Sequence, residues 1–173
     1  MDMNPQIKPA IEADAVALSE LINSAYRGDS SRAGWTTEAD LLDGSRTDPE
    51  LVRDVINSRD TTLLKLVENN TIRACVELRR EGDRMYLGML TVRPSLQGRG
   101  IGKMLMQAAE AHARQSGCKT MYMTVLVPRT ELIAWYVRQG YTDTGKRKPF
   151  AFDDPRFGNP KQPLEFTILT KPL

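Results

Sequence analysis

Apolar residues fall into two periods along this chain, and the change of period divides it. Between residues 12 and 26, Ala15, Leu18, Leu21, Ile22 and Ala25 recur at three- and four-residue intervals, the spacing of a helix with one buried face. Gly28 ends that pattern, and the polar run 29–34 reads as a loop. Thr37 is placed to cap a short helix through Leu42. A further helix starts at Asp48-Pro49-Glu50, where proline takes the first helical position, and runs to about Ser58. The pattern then shortens to strand length. Residues 62–67, 71–80 and 84–92 are strand-like, separated by the turn sequences Glu68-Asn69-Asn70 and Glu81-Gly82-Asp83. Helical spacing returns over 100–116 and stops at Gly117, with Ile101, Met104, Leu105, Ala108 and Ala111 on the predicted buried side. Residues 120–126 read as a strand and 130–139 as a helix ended by Gly140. Residues 141–144 and 164–170 form two last strands joined by a proline-rich loop.

Hairpins in the middle and strand–helix–strand units after them predict an α/β (α+β) fold. Its sheet is mixed but mostly antiparallel, with six to seven strands flanked by helices. No repeat or linker divides the 173 residues, so a single domain over 1–173 is expected. No apolar run reaches membrane-spanning length, and the start lacks the basic and apolar segments of a signal peptide. Cys75, Cys118 and His112 are the soft metal ligands present, so neither a disulfide framework nor a metal site is expected. A cytoplasmic setting follows. The net charge of +2 gives no case for nucleic acid, and Lys146-Arg147-Lys148 reads as a solvated turn. The distribution of charge says more: residues 1–60 carry 12 acidic and 6 basic side chains, residues 61–173 carry 10 and 18.

The strongest local signal lies where the third strand-like segment ends. Leu90, Thr91 and Val92 lead through Arg93 and Pro94 into Gln97-Gly98-Arg99-Gly100-Ile101-Gly102-Lys103, which feeds the helix over 100–116. Glycines allow close backbone approach to a ligand, and the first free N–H groups of a helix face an anion. Spacing excludes two common phosphate motifs. A nucleotide P-loop ending at Gly102-Lys103 would need glycine at Gln97 and a hydroxyl at Met104. The dinucleotide fingerprint would need its third glycine at Lys103 or Leu105.

Gln97, Gly100 and Gly102 match Q/R-x-x-G-x-G/A, and Ala134-Trp135-Tyr136-Val137-Arg138-Gln139-Gly140-Tyr141 places a helical tyrosine before a Gly-aromatic pair. With a strand between them, these blocks resemble the GNAT superfamily of acyl-CoA-dependent N-acetyltransferases over about residues 60–145. The resemblance implies the GNAT fold, acetyl-CoA as co-substrate, and a pyrophosphate cradle at Gln97, Gly98, Arg99, Gly100, Ile101, Gly102 and Lys103. It also implies that main-chain groups of Leu90, Thr91 and Val92 hold the pantetheine arm, and that a splay or bulge near Leu90 presents an N–H to the thioester carbonyl. A homodimer is a common assembly in the superfamily. One position departs from the pattern: many members carry asparagine seven residues before the tyrosine, and here it is Arg129.

The implied reaction is attack of a primary amine on the thioester. A phenol can protonate the departing thiolate, and the resemblance gives Tyr136 that role; without it, a tyrosine beside Leu132 and Ile133 reads as packing. Glu77, on the strand face of Cys75 and Arg79, is a candidate base, with ordered water as the alternative. Cys75 itself reads as a small buried hydrophobe. Trp35, Glu38, Phe150, Asp153 and Asp154 lie in loops of the kind that line acceptor pockets. The acidic excess of the first 60 residues predicts a cationic acceptor, with Glu38, Asp153 or Asp154 among its contacts. Two other readings stay open: an acyl-CoA-binding sensor without turnover, and a transferase of longer acyl chains.

Overall fold

The computed structural model describes residues 5–26, 42–43, 46–149, 159–160 and 164–173. Its centre is a meander of β3 (Thr61–Glu68), β4 (Thr71–Glu81) and β5 (Arg84–Val92). The first turn works because Asn69 and Asn70 both take positive φ, 52° and 60°, the backbone that a two-residue hairpin with native twist needs. Around the meander lie β1 (Gln6–Pro9), β6 (Thr120–Leu126), β7 (Thr142–Pro149) and β9 (Glu165–Pro172), in the order β1-β3-β4-β5-β6-β9-β7. A separate two-residue pairing joins β2 (Leu42–Asp43) to β8 (Asn159–Pro160).

Among the described residues, four helices cover the seven-stranded sheet. On one face α1 (Ala15–Tyr26) and α2 (Pro49–Asn57) bury Leu18, Ile22 and Val52 against Leu63, Cys75 and Met89. On the other, α3 (Ile101–Gln115) sets Leu105, Met106, Ala109 and Ala113 against Leu66, Val76 and Leu78. The same core holds Tyr136 of α4 (Thr130–Arg138). α2 begins as its sequence dictates: Asp48 Oδ1 accepts the Leu51 N–H at 2.8 Å, with Pro49 at the first position.

Two irregularities open the middle of the sheet. β5 and β6 are its parallel pair, and they pair only from Arg84–Thr120 to Tyr86–Tyr122. Beyond that point the strands separate. The register of β4 with β5 passes from Glu77–Gly88 to Cys75–Thr91, so β5 carries one extra residue. Met89, at φ 49°, sits in this bulge.

Several expectations need correction. α3 presents a rotated face: Met104 is 37% exposed and Ala111 is exposed, while Met106, Ala109 and Glu110 are buried. The predicted and observed faces share Leu105, and the observed one includes the charged Glu110. Burial of Glu110 is tolerated because Lys171 Nζ lies 2.5 Å from its carboxylate. β7 runs on to Pro149, so Lys146-Arg147-Lys148 belongs to an edge strand, where exposed charge blocks further pairing. It carries no apolar alternation, since every residue in it is exposed. Its attachment is polar, through backbone pairing to β9 and the Arg147–Thr167 hydrogen bond at 2.7 Å. Leu42, expected at a helix end, pairs as a strand with Pro160, and the rest of that predicted helix lies outside the described residues. β1 was not signalled by periodicity: four mostly exposed residues pair with β3 at the sheet edge.

Candidate active site

The cradle is built by chain geometry before any side chain matters. After β5 a single turn of 3-10 helix, Pro94–Leu96, redirects the chain, and Gln97 Nε2 donates to the Val92 carbonyl at 3.1 Å. Gly98 and Gly100 then take φ of 85° and 80°. An added Cβ would meet nothing within 4 Å at either, so the left-handed backbone selects glycine there. Gly100 is the N-cap of α3, and the first N–H to close the helix is that of Met104, on Gly100 O at 3.1 Å. The N–H groups of Ile101, Gly102 and Lys103 precede it and have no intrahelical acceptor. Gly102 lies under α4: an added Cβ there would come into ordinary contact with the Trp135 ring at 3.5 Å.

A cleft of about 460 Å³ runs from this helix start into the gap in the sheet. Leu90, Thr91, Val92, Gln97, Gly98, Gly100, Ile101, Gly102 and Lys103 line it, facing Trp135 and Gln139 of α4. Arg99 is exposed and is not on its wall. Thr91 turns its hydroxyl inward to the Met89 carbonyl at 2.9 Å, which leaves its main chain as the part offered to the cleft. Backbone N–H groups, a helix N-terminus and Lys103 at one end, with an apolar passage between strands behind them, fit a long ligand with a phosphate-bearing tail.

A second cleft, about 560 Å³, opens beside the separated strands. Tyr26, Leu90, Arg129, Leu132 and Tyr136 line both clefts and mark where they meet. Tyr26 Oη donates to the Leu90 carbonyl at 2.8 Å, and its ring carries the Arg129 guanidinium at 5.4 Å and that of Arg46 at 5.5 Å. Neither Tyr26 nor Arg129 was assigned a role from sequence. Arg129 was visible as a departure from pattern, whereas Tyr26 read as the last residue of an amphipathic helix.

Glu77 lies in the second cleft, on the strand face opposite Val76 and Leu78 as alternation requires. Burial lifts its carboxyl above the usual range, while the charges of Arg79 and Arg46 pull the other way. Arg79 Nη1 is 3.9 Å from Glu77 Oε1, and its guanidinium also stacks on the Tyr86 ring at 4.6 Å. Tyr86 needs the room left by Gly88, where an added Cβ would stand 2.8 Å from its ring. Tyr136 is held protonated: burial raises its phenol well above 10, reinforced by Tyr26 and opposed by Arg129. Burial likewise pushes the Cys75 thiol to about 12, which keeps it inert as a nucleophile.

Trp35, Glu38, Phe150, Asp153 and Asp154 lie outside the described residues. The charged residues on the described walls of the second cleft are Arg46, Arg79, Arg129 and Lys148 against Asp54 and Glu77. Of the described residues among the first 60, Arg46 and Asp54 bring charge to those walls, while the acidic Asp14 pairs with Lys65 at 2.7 Å. No group of metal-ligating side chains and no helix of membrane-spanning length and hydropathy occurs among the described residues.

Fold and clefts together fit a class of protein that holds a long, phosphate-tailed ligand between parted strands, with a second cleft meeting the first at Tyr136 and Leu90. The chain belongs to the acetyltransferase (GNAT) family, which matches residues 17–141 and whose co-substrate is acetyl-CoA. An acetyltransferase from Agrobacterium fabrum is 31% identical over 67 residues, 39% of this chain and 47% of that protein, so the chain matches about half the length of that curated relative. Among solved structures, PaiA N-acetyltransferase from Thermoplasma acidophilum, in complex with coenzyme A, superposes with a TM-score of 0.71 at 16% identity, covering 99% of this chain and 100% of that one. YncA from Salmonella typhimurium, with its cofactor acetyl-CoA, gives 0.70 at 20% identity, covering 98% and 94%. At such identities these structures establish the fold.

Proposed function

We propose that the chain is a single N-acetyltransferase domain that moves the acetyl group of acetyl-CoA to a primary amine. The observation that carries this reading is the meeting of the two clefts at Tyr136 and Leu90. Acetyl-CoA supplies an activated carbonyl and a thiolate leaving group. Its pyrophosphate fits the N–H groups of Ile101, Gly102 and Lys103, and its pantetheine arm fits the unpaired edge of β5 from Leu90 to Val92. The amine enters through the second cleft as an ammonium and gives its proton to Glu77, directly or through water. A carbon–nitrogen bond forms, the carbon–sulfur bond breaks, and the Tyr136 hydroxyl gives its proton to the departing sulfur.

The environment of Tyr136 suits that task in two ways. Burial keeps the proton on the phenol across the working pH range, so the acid is always loaded. Arg129, which alone among the charged neighbours favours the phenolate, lowers the cost of releasing it. The bulge at Met89 disrupts β4–β5 pairing beside Leu90, and a main-chain N–H freed there would meet the carbonyl oxygen as it gains charge. Two buried free thiols, Cys75 and Cys118, support placing the enzyme in a reducing cytoplasm. The test is amine-dependent release of CoA thiol from acetyl-CoA, with the acetylated amine confirmed by mass. Binding of acetyl-CoA without thiol release against a broad amine panel would favour the sensor reading instead.

A further inference from the structure

The second cleft holds a cation, Arg46, whose backbone is pinned and whose guanidinium makes no carboxylate salt bridge among the described residues, Glu77 feeling its charge only at longer range. Arg79 is committed, with Nε 3.2 Å from Glu81 and its guanidinium on the Tyr86 ring. Arg129 is buried against Tyr26, and Lys148 stands on the exposed edge strand β7. Arg46 differs from all three. Its backbone is pinned to α1 by Asn23, whose Oδ1 accepts the N–H of Arg46 at 2.7 Å and of Thr47 at 3.0 Å, while Nδ2 donates to the Thr47 carbonyl at 2.9 Å. Its guanidinium lies over the Tyr26 ring and shares the cleft with Glu77. An anion-binding head and a proton-accepting carboxylate therefore face one space.

Resting on the acetyl-transfer reading, we propose that the acceptor is an amine bearing an anionic group close to its nitrogen, as a free α-amino acid does, and that Arg46 holds that group. The ammonium pairs with Glu77 and the carboxylate with Arg46, so these two half-buried charges of the cleft are answered by one zwitterion. Among the described residues of the cleft, a purely cationic amine meets the carboxylates of Glu77 and Asp54 and is repelled by the arginines. This reverses the sign expected from the charge of the first 60 residues taken as a whole.

The test compares free L-amino acids with their own amides, in which side chain and amine are kept and the carboxylate charge is removed. With acetyl-CoA saturating, kcat/KM for the acids is expected to exceed that for the amides by about 10–100-fold, the worth of a charge-assisted contact. Arg46→Gln should shrink that ratio to below about threefold, and Arg46→Lys should restore part of it. Binding of acid and amide to the CoA-loaded protein is measured in parallel by calorimetry. Acids that bind more tightly than amides through Arg46, without thiol release, uphold the inference and overturn the acetyl-transfer reading. Amides accepted as well as or better than acids overturn the inference and leave acetyl transfer standing. So does an acid preference that survives in Arg46→Gln, or the absence of any acid-over-amide difference in both binding and turnover.

Discussion

Glu77 is half-buried and Tyr136 buried, and desolvation raises the pKa of both, which loads a proposed base and a proposed acid by the same means. A base works as its anion, and desolvation of Glu77 raises its pKa, so its conjugate acid is closer to the amine's working pH than an ordinary carboxyl. As pH falls through that raised pKa the base is lost. The acidic limb of the kcat/KM profile should therefore lie above the usual carboxylate value near 4.3. Glu77→Gln should abolish that limb and lower kcat/KM by roughly 10²-fold, toward the low end for a positioned base. An unchanged limb in Glu77→Gln would assign proton removal to water or to the amine's own equilibrium. The position of Glu77 was legible from strand alternation alone. Its electrostatics were not, because Arg46 reaches it from a different part of the chain.

At the level of elements, glycines and turn residues spoke most clearly. The hairpin at Asn69-Asn70, the cap at Asp48 and the helix start at Gly100 all sit where their sequence signals placed them. Each is set by local backbone chemistry. Where tertiary pairing decides, the sequence was weaker: Glu110 is buried by Lys171 from the last strand, and β7 is held by β9 without apolar alternation of its own. The same division explains the site. The cradle is local and was readable, whereas Tyr26 enters the junction only because α1 packs across β5 and sets its hydroxyl on the Leu90 carbonyl. The cradle itself is testable through Gly100→Asp. Aspartate tolerates a left-handed backbone better than most residues, so the fold should survive, while its carboxylate meets the phosphate. Acetyl-CoA at 100 times its wild-type Kd should stabilise the parent by about 2.7 kcal/mol and the variant by almost nothing. Equal stabilisation in a thermal-shift measurement would remove the cradle assignment.

Over the whole molecule, the sheet serves as a partition with one opening. Antiparallel pairing closes it on both sides, and the short parallel contact of β5 with β6 leaves the gap through which two clefts reach each other. α4 brings Tyr136 to that gap, and the Trp135 ring beside it packs near Gly102 of the cradle helix, which ties the proposed acid to the proposed phosphate site. The central claim is that the meeting point of the clefts is where acetyl passes and where Tyr136 supplies the proton. Single-turnover acetyl transfer by Tyr136→Phe, followed alongside acetyl-CoA binding, tests it most directly. The account predicts a rate lower by roughly 10²–10⁴-fold with acetyl-CoA affinity nearly unchanged. A single-turnover rate equal to the parent's, in a variant that binds acetyl-CoA as well, would contradict it.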